Sequence, residues 1–144
     1  MCSSDLFDEE GSNLIDKTII KDGVVRDFYG SNVFSQYVKK ENTGNLRIIQ
    51  LEKGSLNVED LNGQTYLECL QFSGIQCNIL SDYLGGEVRL AILHIGDKKI
   101  PVGGFSISGK LSEFISHVKL SNKTSKLPNY FGPSFMLLKD FNVL

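Results

Sequence analysis

Residues 86–120, GEVRLAILHIGDKKIPVGGFSISGKLSEFISHVKL, predict a strand, a tight turn, a second strand and a helix. Glu87 to Ile95 is rich in Val, Leu and Ile, and Gly96-Asp97 interrupts this run. Ile100 to Ser108 then resumes with β-branched and aromatic residues, which is typical of a hairpin. The rest of the chain is most simply interpreted as elements arranged around this unit.

The second strand of this hairpin contains two apolar pairs that are out of phase. Ile100 and Val102 share one parity, whereas Phe105 and Ile107 share the other. Side chains alternate between the two faces of a strand, so placing both pairs on one face requires an extra residue between them. The pattern therefore predicts a β-bulge at Gly103-Gly104.

The helix that follows has one apolar stripe. Leu111, Phe114, Ile115 and Val118 follow the spacing i, i+3, i+4, i+7, which places them on a single helical face. We expect this helix to lie across the hairpin.

Two further elements are predicted near the start of the chain. Lys17 to Ile20 and Val24 to Tyr29 flank Lys21-Asp22-Gly23, and Asp-Gly between apolar runs indicates a hairpin. Ser31 can cap a following helix, because its hydroxyl can accept from free backbone N–H groups. The apolar side of that helix would carry four residues: Val33, Phe34, Tyr37 and Val38.

The remaining segments complete a strand-rich pattern. The sequence predicts a strand over Leu46 to Leu51, a helical turn within Ser55 to Asn62, a strand over Thr65 to Phe72, a loop over Ser73 to Gly85, a turn-rich segment over Ser121 to Pro133 and a last strand over Phe135 to Val143. Close hairpins without repeated strand-helix-strand spacing favour a β-rich α+β fold. We expect a single domain spanning 1–144, mainly an antiparallel sheet or open barrel with two or three short helices.

Composition excludes several classes of function. The formal net charge is -2, and the 15 basic residues are scattered, so no basic stripe is available for nucleic acid. The three cysteines form no CxxC pair, and no apolar run is long enough to cross a bilayer. We therefore expect a protein of the reducing cytoplasm, without a membrane or a nucleic acid as partner.

The acidic segment at residues 5–13 offers hard oxygen donors for a cation. Four carboxylates lie close together in sequence: Asp5, Asp8, Glu9 and Glu10. Their spacing matches no calcium-binding loop, so the segment is interpreted as an exposed charged lead-in.

Gly104 and Gly109-Lys110 almost form a phosphate-binding loop ahead of a helix. Leu111 stands where such a loop needs Ser or Thr to ligate Mg²⁺. The intervening residues 105–108 also have the pattern of a strand, so nucleotide binding is not predicted.

The remaining candidate residues form no recognisable catalytic set. His94 ends an apolar strand and is interpreted as a core or edge histidine. His117 follows Glu113 by four residues on a helix, where an exposed ion pair is expected. Cys77 near the predicted loop could be reactive, although a small apolar role is the simpler interpretation, and Cys2 and Cys69 have no local ligand spacing for zinc.

The order of the segments resembles the C-terminal half of the TldD/PmbA family, also described as modulators of DNA gyrase and as peptide-processing proteases. The segments that carry the resemblance are Phe7 to Gly11 with the hairpin, helix and Thr43-Gly44-Asn45 that follow, Gly54 to Gly74, Asn78 to Gly86, IPVGGFSISGKLSEFISHV at 100–118, and Pro133 to Val143. The chain departs from the family pattern at Ile79, where Pro is usual, and at Lys110, where Asn is usual.

The resemblance implies where the chemistry lies. In the catalytic branch, zinc is held by an HExxxH helix of the N-terminal half and by a cysteine shortly before the final strand. This chain contains no HExxxH, and at the cysteine position it has Asn129-Tyr130-Phe131-Gly132. The resemblance thus implies the PmbA/TldE-like branch, with no catalytic, cofactor or metal residues in this chain. A peptide or interface loop is expected at Asn78, Asp82 and Tyr83.

Three functions remain open at this level. The first is a non-catalytic C-terminal domain in a dimeric peptide-processing assembly, which would contact its own N-terminal half or a second family subunit and hold extended peptides at a sheet edge. The second is a subunit of an active zinc peptidase whose ligands come from elsewhere. The third is a free-standing small-ligand-binding domain.

Overall fold

The structure is a computed structural model that describes residues 6–139 and 141–144. The chain divides into two compact units, Met1–Ile49 and Gln50–Leu144. Cys2 and Asp5, considered above as ligand candidates, lie outside the described residues. The expectation of a single domain stays a prediction.

The first unit contains β1 (Ile20–Lys21), β2 (Val24–Val25) and α1 (Asn32–Val38), and the division between units falls within β3 (Ile49–Gln50). The Asp-Gly hairpin is confirmed, with β1 and β2 antiparallel. Asp22 and Gly23 both have positive φ, at 55° and 73°, as a type I′ turn requires. The strands are shorter than predicted.

Helix α1 begins after Ser31, as predicted, but the Ser31 hydroxyl makes no capping hydrogen bond. The apolar side of α1 is exposed, including Phe34 and Tyr37. Among the described residues of this unit, the buried side chains are polar: Asp8, Ser31, Ser35 and Thr43. Hydrogen bonds rather than apolar packing therefore organise its interior.

Asp8 is the centre of that polar interior, which corrects the prediction of an exposed charged segment. Its Oδ1 atom accepts from the backbone N–H groups of Glu10 at 2.9 Å and Ser12 at 2.8 Å. Its Oδ2 atom accepts from the N–H of Asn45 at 3.1 Å. These three hydrogen bonds offset the free-energy cost of removing the carboxylate from water. Glu9 and Glu10 remain exposed, as predicted.

The second unit holds a 3₁₀ helix and the remaining elements. Their bounds are 3₁₀ Val58–Leu61, β4 Thr65–Asn78, β5 Tyr83–Ile95, β6 Lys98–Val102, β7 Phe105–Lys110, α2 Leu111–His117, β8 Lys119–Leu120, β9 Thr124–Leu127, β10 Tyr130–Pro133, β11 Met136–Leu137 and β12 Asn142–Val143. The largest sheet has the order β12-β7-β5-β4, and β6 also pairs with β5. These pairings are antiparallel, which confirms the β-rich α+β class.

The bulge predicted at Gly103-Gly104 is wrong. Ala91 pairs with Val102 and Val88 pairs with Phe105, so two residues on each strand separate the pairs and the register is continuous. The two pairs consequently lie on opposite faces of the sheet. Val88 and Ala91 are both fully buried, at 0% exposure, and they are three positions apart on β5, so each face of this strand has a buried position. The prediction failed because it assumed one buried face.

The loop predicted over Ser73 to Gly85 is also wrong. Residues up to Asn78 belong to β4, and β5 begins at Tyr83. The register shifts lie in this pair of strands, between Cys69 and Gly74 of β4. A Cβ on Gly86 would overlap the backbone carbonyl oxygen of Gly74, so this glycine marks a close approach of two strands.

The C-terminal predictions are partly confirmed. Helix α2 occupies the expected place, but Ile115 of its predicted apolar stripe is exposed. The segment interpreted as turn-rich forms the hairpin of β9 and β10, and the last strand is divided into β11 and β12. The 3₁₀ helix confirms the predicted helical turn. Among the residues that the structure describes, the buried hydrophobic ones are Leu56, Leu61, Val88 and Ala91.

None of the helices in the described part of the chain has the length and apolar character needed to cross a membrane.

Candidate functional site

Asn78, Asp82 and Tyr83, the residues expected to form a peptide or interface loop, lie at the tip of the β4–β5 hairpin. Asn78 ends β4, and its Oδ1 atom accepts from the backbone N–H groups of Leu80 at 3.0 Å and Ser81 at 3.2 Å. An Asn side chain bonded in this way holds the turn in one conformation. Its amide oxygen is therefore engaged within the loop.

Asp82 connects this tip to helix α2. Its Oδ1 atom accepts from the N–H of Ser112, and its Oδ2 atom accepts from the Ser112 hydroxyl, both at 2.7 Å. Its backbone carbonyl accepts from the N–H of Leu111 at 3.2 Å. Lys110, at the N-cap position, makes no side-chain capping bond, so Asp82 caps α2 from a distant part of the sequence. The Ser112 hydroxyl, then its N–H, lowers the pKa of the Asp82 carboxyl.

Tyr83 begins β5 and pairs with Lys110 of β7. Its side chain lies over Gly85, where a Cβ would overlap the phenolic oxygen. The three predicted residues thus lie together, but each has a structural role. The side chains free for contact are their neighbours: Ile79 is 82% exposed and Leu80 is 100% exposed. Sequence reasoning noted Ile79 only as a departure from Pro and missed Leu80.

A shallow groove of about 350 Å³ opens on the sheet beside this tip. Its walls include polar side chains of three strands: Ser73, Gln76, Tyr83, Glu87 and Ser106. Gly74 and Gly85 form part of its lining without side chains. Glu87 is half exposed in the groove; its Oε2 accepts from the Ser73 hydroxyl and lies 3.4 Å from Nη2 of Arg89.

Strand β4 forms one edge of the largest sheet. It pairs with β5 along Thr65 to Asn78, and among the described residues no strand pairs with its other side. Its sequence contains no Lys, Arg or Pro, the residues that commonly block an exposed edge, and its one charged residue is Glu68. The edge therefore offers backbone donors and acceptors to another chain.

His94 is the core histidine that the sequence predicted. It is buried, its Nε2 atom lies 2.9 Å from Oε2 of Glu68, and its ring stacks on Tyr66 with centroids 4.2 Å apart. The predicted pairing of His117 with Glu113 is wrong, because Glu113 instead binds Nζ of Lys110 at 3.2 Å. Neither histidine faces the groove.

The remaining candidates do not form a site either. Cys77 is exposed in β4, not in a loop, and Cys69 is half-buried, which raises the pKa of its thiol. Residues 105–108, tested as a phosphate loop, belong to β7 and pair with β5 and β12. Their backbone groups are committed to the sheet, so they cannot converge on a phosphate.

Comparison with protein families agrees with the architecture. A family model described as the PmbA/TldA metallopeptidase C-terminal domain matches residues 1–144. The chain belongs to this family. No curated protein and no solved structure matches the chain. The resemblance identified from the order of the sequence blocks is thereby confirmed at the level of the family.

The structure shows how two of those blocks fit together in this PmbA/TldA C-terminal domain. The block at Phe7 to Gly11 contributes Asp8, and the block at Thr43 to Asn45 supplies one of its three N–H donors. The Thr43 hydroxyl also accepts from the N–H of Gly30 at 3.2 Å. The spacing of these blocks along the chain therefore follows from one shared hydrogen-bond network.

Zinc is the metal that a metallopeptidase family implies, and the donor set described here does not fit it. Within residues 6–139 and 141–144, no three His, Cys, Asp or Glu side chains lie close enough together to hold a metal ion. The Asn129 to Gly132 segment lies in and beside β10.

Proposed function

We propose that this PmbA/TldA C-terminal domain acts non-catalytically in a dimeric, cytosolic peptide-processing assembly, where it holds an extended peptide along the free edge of β4. The observation that supports this proposal is the length and openness of that edge. Over 14 residues, β4 is paired on one side only within the described chain. A peptide added there gains main-chain hydrogen bonds, which depend little on its sequence.

The shape of the hairpin supports this role. β4 and β5 pair over nearly their whole lengths, and the turn between them is held by Asn78 and Asp82. A template that is already ordered loses little conformational entropy when a peptide adds to it. The register shifts near Cys69 to Gly74 divide the edge into two straighter segments.

The test measures binding of a fluorescent, nine-residue, β-prone peptide to the full chain by anisotropy. Two versions of the peptide carry N-methyl groups on alternate amides, one version for each hydrogen-bonding edge of the extended backbone. One N-methylated version should bind at least about tenfold more weakly, because several hydrogen bonds are lost together. The other should bind like the parent peptide. Equal binding of all three peptides would contradict edge addition.

The dimer is the second part of the proposal, and the exposed tip supports it. Ile79 and Leu80 project from a rigid turn, and we place them at the contact with a second family subunit. Sedimentation measurements across a range of concentrations test this part. A chain that remains monomeric at high concentration, alone and with a second family subunit, would contradict the assembly.

A zinc peptidase subunit is the second candidate, favoured by the metallopeptidase description of the family. In this case the metal ligands would come from another chain or from residues outside those described. Metal analysis of the intact protein, followed by a chelator-sensitive peptidase assay, distinguishes the two functions. Stoichiometric zinc with chelator-sensitive cleavage would support the second candidate and overturn the non-catalytic proposal.

A further inference from the structure

Gly74, Glu87 and Ser106 form a row across three strands, beginning at the free edge of β4. Gly74 pairs with Glu87, and Glu87 pairs with Ser106. Residues directly opposite each other in antiparallel strands project on the same face. An added strand would place one residue next to Gly74, in line with this row.

Gly74 leaves space on the sheet surface between the edge and the Glu87 carboxylate. Apart from its chain neighbours Ser73 and Ile75, no atom of the described chain lies within 4 Å of a Cβ placed on Gly74, and the groove beside it is lined by Glu87. At the next position on the same face, Gln76 projects from β4 and pairs with Gly85. The missing side chain of Gly74 therefore gives a long side chain from the added strand a way into the groove.

The distance from the added strand to Glu87 determines how long that side chain must be. Adjacent strands lie about 4.8 Å apart, so the peptide residue beside Gly74 is about 10 Å from Glu87, measured between Cα atoms. Short side chains from the peptide do not cover this separation. Lysine and arginine reach furthest, and their aliphatic stems can lie along the sheet surface over Gly74.

The negative charge of Glu87 determines which functional group of the peptide side chain can bind it. A carboxylate only accepts hydrogen bonds, so the group that meets it must be a donor, and a cationic donor binds it more strongly than a neutral one. Its present partners are the Ser73 hydroxyl and Arg89, whose ion pair with Glu87 is solvent-exposed. Exposed ion pairs contribute little binding free energy, so another cation can displace Arg89 from Glu87.

We propose that the peptide held at β4 carries a lysine or arginine at the residue opposite Gly74, and that this cation binds the Glu87 carboxylate across Gly74. This inference rests on the proposed edge addition and assigns it a basic specificity site. The substrate class is an extended peptide with one basic residue in a fixed register.

The experiment scans a single lysine along the same nine-residue host peptide and replaces it by norleucine as an uncharged control. One lysine position should strengthen binding to the full chain by about two- to fivefold, the gain expected for a partly exposed ion pair. This gain should decrease at high salt. Within each variant, Glu87→Gln should abolish the difference between the lysine and norleucine peptides by removing the charge, and Gly74→Val should abolish it by filling the path.

Glu59→Gln is the matched control, because Glu59 is also in an exposed ion pair, with Lys123, but lies on the 3₁₀ helix. This variant should still bind the lysine peptide more tightly than the norleucine peptide. Equal binding of lysine and norleucine peptides at every position would overturn the basic site and leave edge addition standing. Absence of binding by any peptide would overturn both proposals.

Discussion

Asp82 and Ser112 are joined by two hydrogen bonds of 2.7 Å, although 30 positions separate them in sequence. These hydrogen bonds connect the tip of the β4–β5 hairpin to the first turn of α2. They explain how a short helix with an exposed Ile115 is held, since the helix begins at a carboxylate supplied by the sheet.

Removing either partner of this pair should destabilise the second unit. Asp82→Ala and Ser112→Ala should each lower the melting temperature, and Asp82→Ala should lower it more, because Ser112→Ala leaves the Ser112 N–H bonded to Asp82. The double variant should lose little more than Asp82→Ala alone. Asp97→Ala, in the exposed turn between β5 and β6, is the control and should have little effect. Additive losses from the two single changes would show that the pair is not coupled.

Acid should weaken the first unit through Asp8. Hydrogen bonds from the backbone N–H of Ser12 first, then of Glu10 and Asn45, lower the pKa of this carboxyl below its ordinary value of 3.8. The stabilisation is therefore present above pH 3.8 and is lost as the pH falls through the lower pKa of the folded state. Amide exchange protection at Ser12 and Asn45, followed against pH, should show this loss.

Asp8→Asn should remove the acid-dependent part of that protection. Glu9→Gln, which changes the charge of an exposed neighbour, should leave it in place. An unchanged pH profile in the Asp8 variant would assign the acid sensitivity to another group.

Gly86 and Gly74 should respond in opposite ways to the same substitution. Gly86→Ala places a methyl group against the carbonyl oxygen of Gly74 and should cost about 1–3 kcal/mol in free energy of unfolding. Gly74→Ala enters open space and should be neutral or stabilising by up to about 1 kcal/mol. Denaturant unfolding monitored by circular dichroism measures both. Similar effects of the two changes would contradict the close approach of the strands.

The hairpin tip should contribute to association rather than to folding. Leu80→Ser changes a fully exposed side chain, so the free energy of unfolding should change by less than about 0.5 kcal/mol. The dissociation constant of the proposed dimer should rise about tenfold, since a central apolar contact is lost. Ile95→Ser, at the other end of β5, is the control. Unchanged association of the Leu80 variant would remove the tip from the interface.

Some features of the fold followed from local sequence. Asp-Gly at 22–23 specified a type I′ turn, and the strand pattern at 105–108 excluded a phosphate loop. The glycines were misleading when they were interpreted as chain breakers. Gly74, Gly85 and Gly86 lie inside strands, where they permit a close approach or leave a groove open, and neither role appears in hydrophobic periodicity.

The sequence by itself determined the Asp-Gly hairpin turn, the positions of the helices and the β-rich class and, through the order of its blocks, the PmbA/TldA family. Hairpin turns, helix positions and the β-rich class depend on local backbone preferences, which a few adjacent residues specify. Only the tertiary structure showed that Asp8 is buried and accepts three backbone hydrogen bonds, and that Asp82 caps a helix far along the chain. It also showed that β4 has, among the described residues, an unpaired edge, with a path from that edge to Glu87. These features depend on which strands pair and in what register, and pairing is set by contacts between distant residues.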